Sequence, residues 1–222
     1  INPAEKTVRV QSGMFLEQLN RELKQHGLMF GPDPSSARIA TTGGVVGHTA
    51  TGARSILYGM AGDNVEACQL YINQGKLVEL NKINIGNDLC QQLNQLREQY
   101  SELINSDFPK HWRRASGYSL NYFLEKPFNP AKLLAGAEGT LGLATEITLK
   151  LVNRPAHTGL AILQFNSMAQ AMESVPSILE NNPSAIELID KYLIDLTRAN
   201  PSFSKMLTFI DGDPESLSLT HL

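Results

Sequence analysis

The sequence is poor in cysteine. Of its 222 residues only Cys68 and Cys90 carry thiols, and neither sits in a C-x-x-C pair. That excludes a disulfide framework and a cysteine-based zinc site, and makes a reducing compartment the expectation. The cytoplasm is the expected location, with attachment to the periphery of the inner membrane left open. Long apolar runs are missing too: none approaches the ~20 residues that cross a bilayer, so no transmembrane segment is expected. Excess charge of one sign is absent, with 19 Lys and Arg against 22 Asp and Glu and a formal net charge of −3. No basic stripe with interleaved aromatics appears, so nucleic acid is not an expected partner. His26, His111, His157 and His221 lack metal-ligand spacing, and no metal is expected. Asp211, Asp213 and Glu215 lack the rest of a calcium pattern and read as a solvated turn. Hydrophobic residues make up 42% of the chain. This is enough for one large core or two modest ones.

Glycine and small polar residues concentrate in one stretch, Pro32 to Gly59, PDPSSARIATTGGVVGHTATGARSILYG. It reads as a loop rather than a core helix or buried strand. Glycine lets a ligand approach the main chain closely, and successive N–H groups in such turns cradle anions such as a pyrophosphate. A turn-rich surface loop is the other reading. Long loops inside compact domains are uncommon unless functional.

Around this stretch the pattern alternates strands and helices. Thr7 to Val10 reads as a strand, and Ser12 as the N-cap of a helix carrying Leu16, Leu19 and Leu23 on one face, with Gly27 as its stop. Val65 to Ile72 and Leu77 to Leu80 flank a turn at 73–76, a hairpin signal. A helix is expected from Asn87 to Ile104, capped by Asn87 or Asp88. Leu89, Leu93, Leu96, Tyr100 and Leu103 form its apolar stripe, packed on its own domain. Leu143 to Leu151 alternates, with Leu143, Ile147, Leu149 and Leu151 on one face. Asn153-Arg154-Pro155 is the best boundary. Beyond it come a strand at 160–165, a helix from Ser167 that Pro176 should kink or end, a strand at 185–188 and a helix near 190–198. The chain begins at Ile1 and stops at Leu222; both ends read as those of a piece of a longer polypeptide, with natural processing as the other reading.

Several separate motifs carry a resemblance. IATTGGVVGHTATGARSILYG, the preceding PDPSS, RRASGYSL, LLAGAEGTLGLATEITLKL and AIELID follow one another in order. Together they resemble the FAD-linked oxidases with a p-cresol methylhydroxylase type (PCMH-type, vanillyl-alcohol oxidase-like) flavin domain. Within that family the long helix before GYSL and the FPK preceding it are most similar to large bacterial D-2-hydroxyacid dehydrogenases of the YdiJ type. The resemblance implies an α+β fold: residues 1–152 as the second part of an FAD-binding domain, and 153–222 as the beginning of the α+β cap domain. The first flavin subdomain and the rest of the cap would be partners outside this chain.

The function so implied is FAD-dependent oxidation of a small D-2-hydroxy acid, of the D-lactate or D-2-hydroxyglutarate class, by hydride transfer to flavin N5. FAD is the implied cofactor, held weakly or not at all by this chain alone, which is expected to be inactive by itself. Its open face suggests a homodimer. The resemblance places Pro34 and Ser35 at the approach to the pyrophosphate, and Thr41, Thr42, Gly43, Gly44, Thr49 and Gly52 in the cradle. Glu138 and Gly139 fall in a turn near the ribityl or adenosine side, where Glu138 is also read as serving local N–H groups of a buried turn. Leu143 and Ala144 would offer backbone groups to the adenine edge. Thr42 stands where the family usually has Ile, and His48-Thr49 where it often has Asn-Asn or Thr-Asp. His48 is the single catalytic candidate, a surface or structural histidine being its other reading. A second function class stays open: a binding or assembly module with a degenerate flavin cradle and no catalysis.

Overall fold

The computed structural model describes residues 1–82 and 88–222. It is an α+β chain in two compact units, one formed by 1–52 and 59–154, the other by 53–58 and 155–222.

The first unit is built on a four-stranded antiparallel sheet in the order β1 (Thr7–Gln11), β5 (Leu143–Lys150), β3 (Val65–Ile72), β4 (Lys76–Asn81). Alternation in the sequence decides its faces. In register, Val10 opposes Ile147, Ile147 opposes Cys68 and Cys68 opposes Leu80, giving one buried row across all four strands. The neighbouring row, Gln11, Glu146, Gln69 and Glu79, lies on the other face. There Arg9 pairs with Glu146. Helix α1 (Leu16–Lys24) buries Leu16, Leu19 and Leu23 in the same core. A two-residue pair, β2 (Leu28–Met29) with β6 (Val152–Asn153), closes the unit. Gly27, at φ +66, makes the turn between α1 and β2 that a side chain would strain. The α1 N-cap is Phe15 without a side-chain bond. Ser12 does not cap it: its hydroxyl donates to Ala144 O at 2.7 Å, tying the end of β1 to β5.

The glycine-rich stretch is not all loop. It contains α2 (Thr42–Gly47), whose Thr42, Val45 and Val46 are buried, and α3 (Ser55–Tyr58). The two valines anchor the short helix in the core despite its three glycines.

The long helix α4 (Asp88–Asp107) begins at Asp88, and the alternative cap Asn87 lies outside the described residues. Its inward line follows the predicted leucine stripe only at the start, where Leu89 packs against the core and Leu93 is half-buried. Cys90 and Ile104 are buried, and between them Arg97 Nε donates to Phe123 O at 2.6 Å. Leu96, Tyr100 and Leu103 stay exposed. A strong hydrogen bond from Arg97 and its position over the Phe128 ring set the helix rotation, which periodicity alone cannot weigh.

The second unit is a three-stranded antiparallel sheet, β7 (Leu160–Phe165), β9 (Ser216–His221), β8 (Ala185–Asp190), with α5 (Met168–Leu179) and α6 (Lys191–Ala199). Ser167 caps α5 by accepting from Gln170 N. Pro176 does not end α5, which continues to Leu179. Asp190 caps α6 by accepting from Leu193 N at 2.8 Å. The central strand, β9, has no counterpart in the sequence reading. Its SLSLTH pattern buries Ser216 and Ser218 as well as Leu217, and buried hydroxyls disguise a strand in the middle of a sheet. The preceding acidic segment is more than a solvated turn, since Asp213 accepts from Lys191 at 2.5 Å and pairs with Arg198.

Candidate functional site

The expected cofactor residues fall into two groups, divided by which way they face. Thr41 caps α2, its Oγ1 accepting from Gly44 N at 3.3 Å. Thr42 turns inward: it is buried, and its hydroxyl donates to Gln11 O at 3.1 Å. The first amides of the expected cradle are spent within the fold, Thr42 N on Met14 O and Gly43 N on Ser12 O, both at 2.8 Å. Gly43 is glycine for packing, because a Cβ there would stand 2.8 Å from that of Ser12. Gly52 is more confined, its Cβ position falling on the Asp33 carbonyl and 2.6 Å from Pro34 N. Pro34 is itself buried, while Ser35 is exposed.

Thr49 is fully buried at φ +41, and its hydroxyl accepts from Gly62 N at 3.2 Å. A β-branched residue at positive φ is strained. Here the hydroxyl satisfies a buried amide in partial compensation. Asn or Asp, which tolerate that backbone region better, are the residues of the resembled pattern at this point.

The outward group contains Gly44, His48, Glu138 and Gly139. A Cβ on Gly44 would meet only Thr41 Oγ1, at 3.3 Å, and one on Gly139 nothing within 4 Å. His48 ends α2, and its Nδ1 lies 3.5 Å from Glu138 Oε1. Glu138 does not sit in a buried turn. Its side chain is 53% exposed, so it needs no local amides. Its own N–H, at φ +48, donates to Gly47 O at 3.1 Å and pins the turn to the end of α2. The adjoining Tyr118 hydroxyl meets Thr140 Oγ1 at 2.8 Å. Leu143 belongs by register to the outer face, opposite Tyr71, and is 70% exposed, while Ala144 is half-buried beside Ser12.

The structure therefore brings Gly44, His48, Glu138 and Gly139 to one surface. It assigns Thr42, Gly43, Thr49 and Gly52 to holding that surface in shape. Sequence reasoning missed Tyr122, whose buried hydroxyl donates to Asp63 Oδ1 at 3.0 Å beneath the site. Burial and the neighbouring Asp63 carboxylate push that phenol far above its ordinary pKa. Among the described residues no cluster of His, Cys, Asp or Glu fits a metal ion, and no helix is long and apolar enough to cross a membrane.

The family model described as FAD binding domain matches residues 1–81, and the one described as FAD linked oxidases, C-terminal domain, matches 154–217. The chain belongs to the FAD-linked oxidases. Relatives of this chain include D-2-hydroxyglutarate dehydrogenase of Escherichia coli, 30% identical over 99% of this chain and 23% of its own length. The protein of the same name from Pseudomonas putida is 29% identical over 99% of this chain and 23% of its own. A D-lactate dehydrogenase of Anaerostipes hadrus is 28% identical over 84% of this chain and 32% of its own. The chain thus spans about a quarter to a third of the length of these relatives. A solved alkyldihydroxyacetonephosphate synthase superposes over all of this chain and 35% of its own with a TM-score of 0.67 at 22% identity, a likeness of fold.

Open backbone at Gly44 and Gly139 suits close approach by the cofactor for which both models are named. The amides of Thr42, Gly43 and Gly44 are already bonded within the fold, to Met14 O, Ser12 O and Thr41 Oγ1.

Proposed function

We propose that this chain supplies one wall of an FAD site in an oxidoreductase acting on a small D-2-hydroxy acid of the D-2-hydroxyglutarate or D-lactate class. The observation that carries the reading is the surface made by Gly44, His48, Glu138 and Gly139, set on a fold whose two matched parts are those of FAD-linked oxidases. FAD, when bound, accepts the two electrons of the alcohol's oxidation as hydride. The chain's own share is positional: the Gly43–Ser12 and Gly52–Asp33 contacts hold the surface, and Gly44 leaves room at it. We assign residues 1–152 to the second part of the flavin domain and 153–222 to the beginning of the cap. The remaining walls belong to regions that the longer relatives possess.

Self-association of this chain is part of the proposal, supported by apolar side chains left exposed on α4. So is a cytoplasmic location with the inner-membrane periphery as a place of attachment, supported by a sequence with only two cysteines, neither in a C-x-x-C pair.

The test is the visible spectrum of the product of the complete reading frame. A bound flavin bleached anaerobically by D-2-hydroxyglutarate or D-lactate, and not by the L-isomers, is the expected result. A folded protein without flavin would favour the non-catalytic binding module, and a flavin that no 2-hydroxy acid reduces would overturn the substrate class.

A further inference from the structure

We propose that His48 is the cationic contact through which this surface holds the pyrophosphate of FAD, so that the grip on the cofactor follows the protonation of one histidine. This rests on the flavin reading above and names a residue for it. The first turn of α2 has little to offer a pyrophosphate, because the amides of Thr42, Gly43 and Gly44 are bonded to Met14 O, Ser12 O and Thr41 Oγ1. His48 stands at the other end of that helix, with its side chain 69% exposed. Its Nδ1 faces Glu138 Oε1 at 3.5 Å. Its Nε2 lies on the far side of the ring. An imidazole with one nitrogen toward a carboxylate presents the other to a ligand.

The backbone on both sides of this pair is strained and braced. Thr49 at φ +41 and Glu138 at φ +48 are two of the four non-glycine residues with positive φ among the described residues. Thr49 is held there by its buried hydroxyl on Gly62 N and by its own N–H on Val46 O. Glu138 is held by its N–H on Gly47 O. An exposed imidazole–carboxylate pair adds little to stability, so stability does not account for strain on both its arms. Strain fixed by over-determined surroundings gathers at ligand sites.

Charge decides what the pair can hold. With a neutral imidazole, the Glu138 carboxylate alone sets the local charge and repels a dianion. With a protonated one the pair is neutral, and Nε2–H donates a charge-assisted bond to a phosphate oxygen. The other charged groups on elements packed against α2 are engaged or turned away. Asp63, in the 61–64 turn, accepts from Met60 N and from the Tyr122 hydroxyl. Arg9, Glu146 and Lys150 share a row of β1 and β5 on the sheet face opposite the core that α2 enters. Beside Glu138, the Tyr118 hydroxyl is bonded to Thr140.

The test uses the product of the complete reading frame, stripped of flavin and titrated with FAD, ADP and riboflavin by fluorescence and calorimetry. His48→Asn introduces the residue often found at this place in the resembled pattern, and circular dichroism checks that it folds. It should weaken FAD and ADP about threefold to tenfold and leave riboflavin, which lacks phosphates, unchanged. The parent's FAD affinity should fall from pH 6 to 8.5, the range in which histidines ordinarily lose their charge, and that of His48→Asn should stay level. Equal FAD affinity and equal pH profiles in parent and variant, or a riboflavin loss as large as the FAD loss, would overturn the histidine contact. In those cases a loss of FAD in Gly44→Val would still support the flavin reading. A folded parent that binds none of the three ligands would overturn both.

Discussion

Two glycines eight residues apart, Gly44 and Gly52, should respond to the same substitution very differently. At Gly52 the added Cβ lands on the Asp33 carbonyl and 2.6 Å from Pro34 N. Both obstacles are backbone, so neither can rotate aside, and the 33–34 segment must move bodily. Overpacking of this kind costs about 3 kcal/mol or more. At Gly44 the Cβ meets only the Thr41 hydroxyl at 3.3 Å. That contact puts at risk a long cap bond worth about 0.5–1 kcal/mol. Replacing glycine by alanine inside a helix returns a similar amount, about 0.5–1 kcal/mol. Gly44→Ala is therefore expected to stay within about 1 kcal/mol of the parent. Urea unfolding followed by circular dichroism and by the fluorescence of Trp112, the single tryptophan, reads the difference. With m of about 1–3 kcal/mol/M, the Gly52→Ala midpoint should drop by about 1 M or more. A Gly52→Ala midpoint equal to the parent's would refute the assignment of this glycine to packing. A Gly44→Ala loss as large as that of Gly52→Ala would refute the division of the site into an inward and an outward set.

Further outcomes follow from individual contacts. Tyr122→Phe leaves Asp63 Oδ1 without its 3.0 Å donor and should cost about 1–2 kcal/mol, measured by the same unfolding. Burial, with Glu79 adding to it, raises the Cys68 thiol from 9.0 to about 12. Its folded pKa exceeds its unfolded one, so its contribution is intact below about pH 9 and is lost as pH rises toward 12, at up to ~1.4 kcal/mol per pH unit. Urea midpoints measured from pH 8 upward should fall accordingly, and less steeply in Cys68→Ala, and Cys68 should resist thiol reagents until the chain unfolds. Asp213→Asn keeps an acceptor oxygen but removes the negative charge shared by Lys191 and Arg198. Hydrogen bonds from those two cations hold the Asp213 carboxyl below its usual pKa, so its contribution is present above the unfolded pKa and fades as pH falls through the folded one. An Asp213→Asn variant should accordingly show a weaker acid dependence of unfolding than the parent.

Much of the first unit was legible because its strands alternate cleanly. TVRVQ and the 145–150 part of β5 have one wet face and one dry, while a register shift at 69–70 turns Leu143 out of the dry row it was expected to join, and the 73–75 turn fixes the hairpin between β3 and β4. Three things were not. The helix α2 hides in TTGGVVG because three glycines outweigh two valines in any propensity count, whereas burial of Val45 and Val46 decides the structure. The rotation of α4 is set by Arg97 bonding to a distant carbonyl, Phe123 O, a pairing 26 residues apart that no periodicity reports. Strand β9 spends its alternate positions on Ser216, Ser218 and Thr220, which read as polar surface and are buried. In the site, motif order singled out the segments, but the inward or outward aim of each residue depended on contacts such as Gly52 on Asp33 that only the folded chain displays.

The most direct measurement is a titration of the purified chain with FAD, followed by flavin fluorescence and calorimetry, in parallel with Gly44→Val. If this chain supplies one wall of the site, as proposed, most of the cofactor stays in water, where electrostatic gains shrink. The account predicts weak, saturable binding that desalting removes and that Gly44→Val abolishes while circular dichroism stays unchanged. Tight binding that survives desalting would contradict the claim that this chain supplies only one wall, and weak binding indifferent to Gly44→Val would contradict the claim that the wall is this surface.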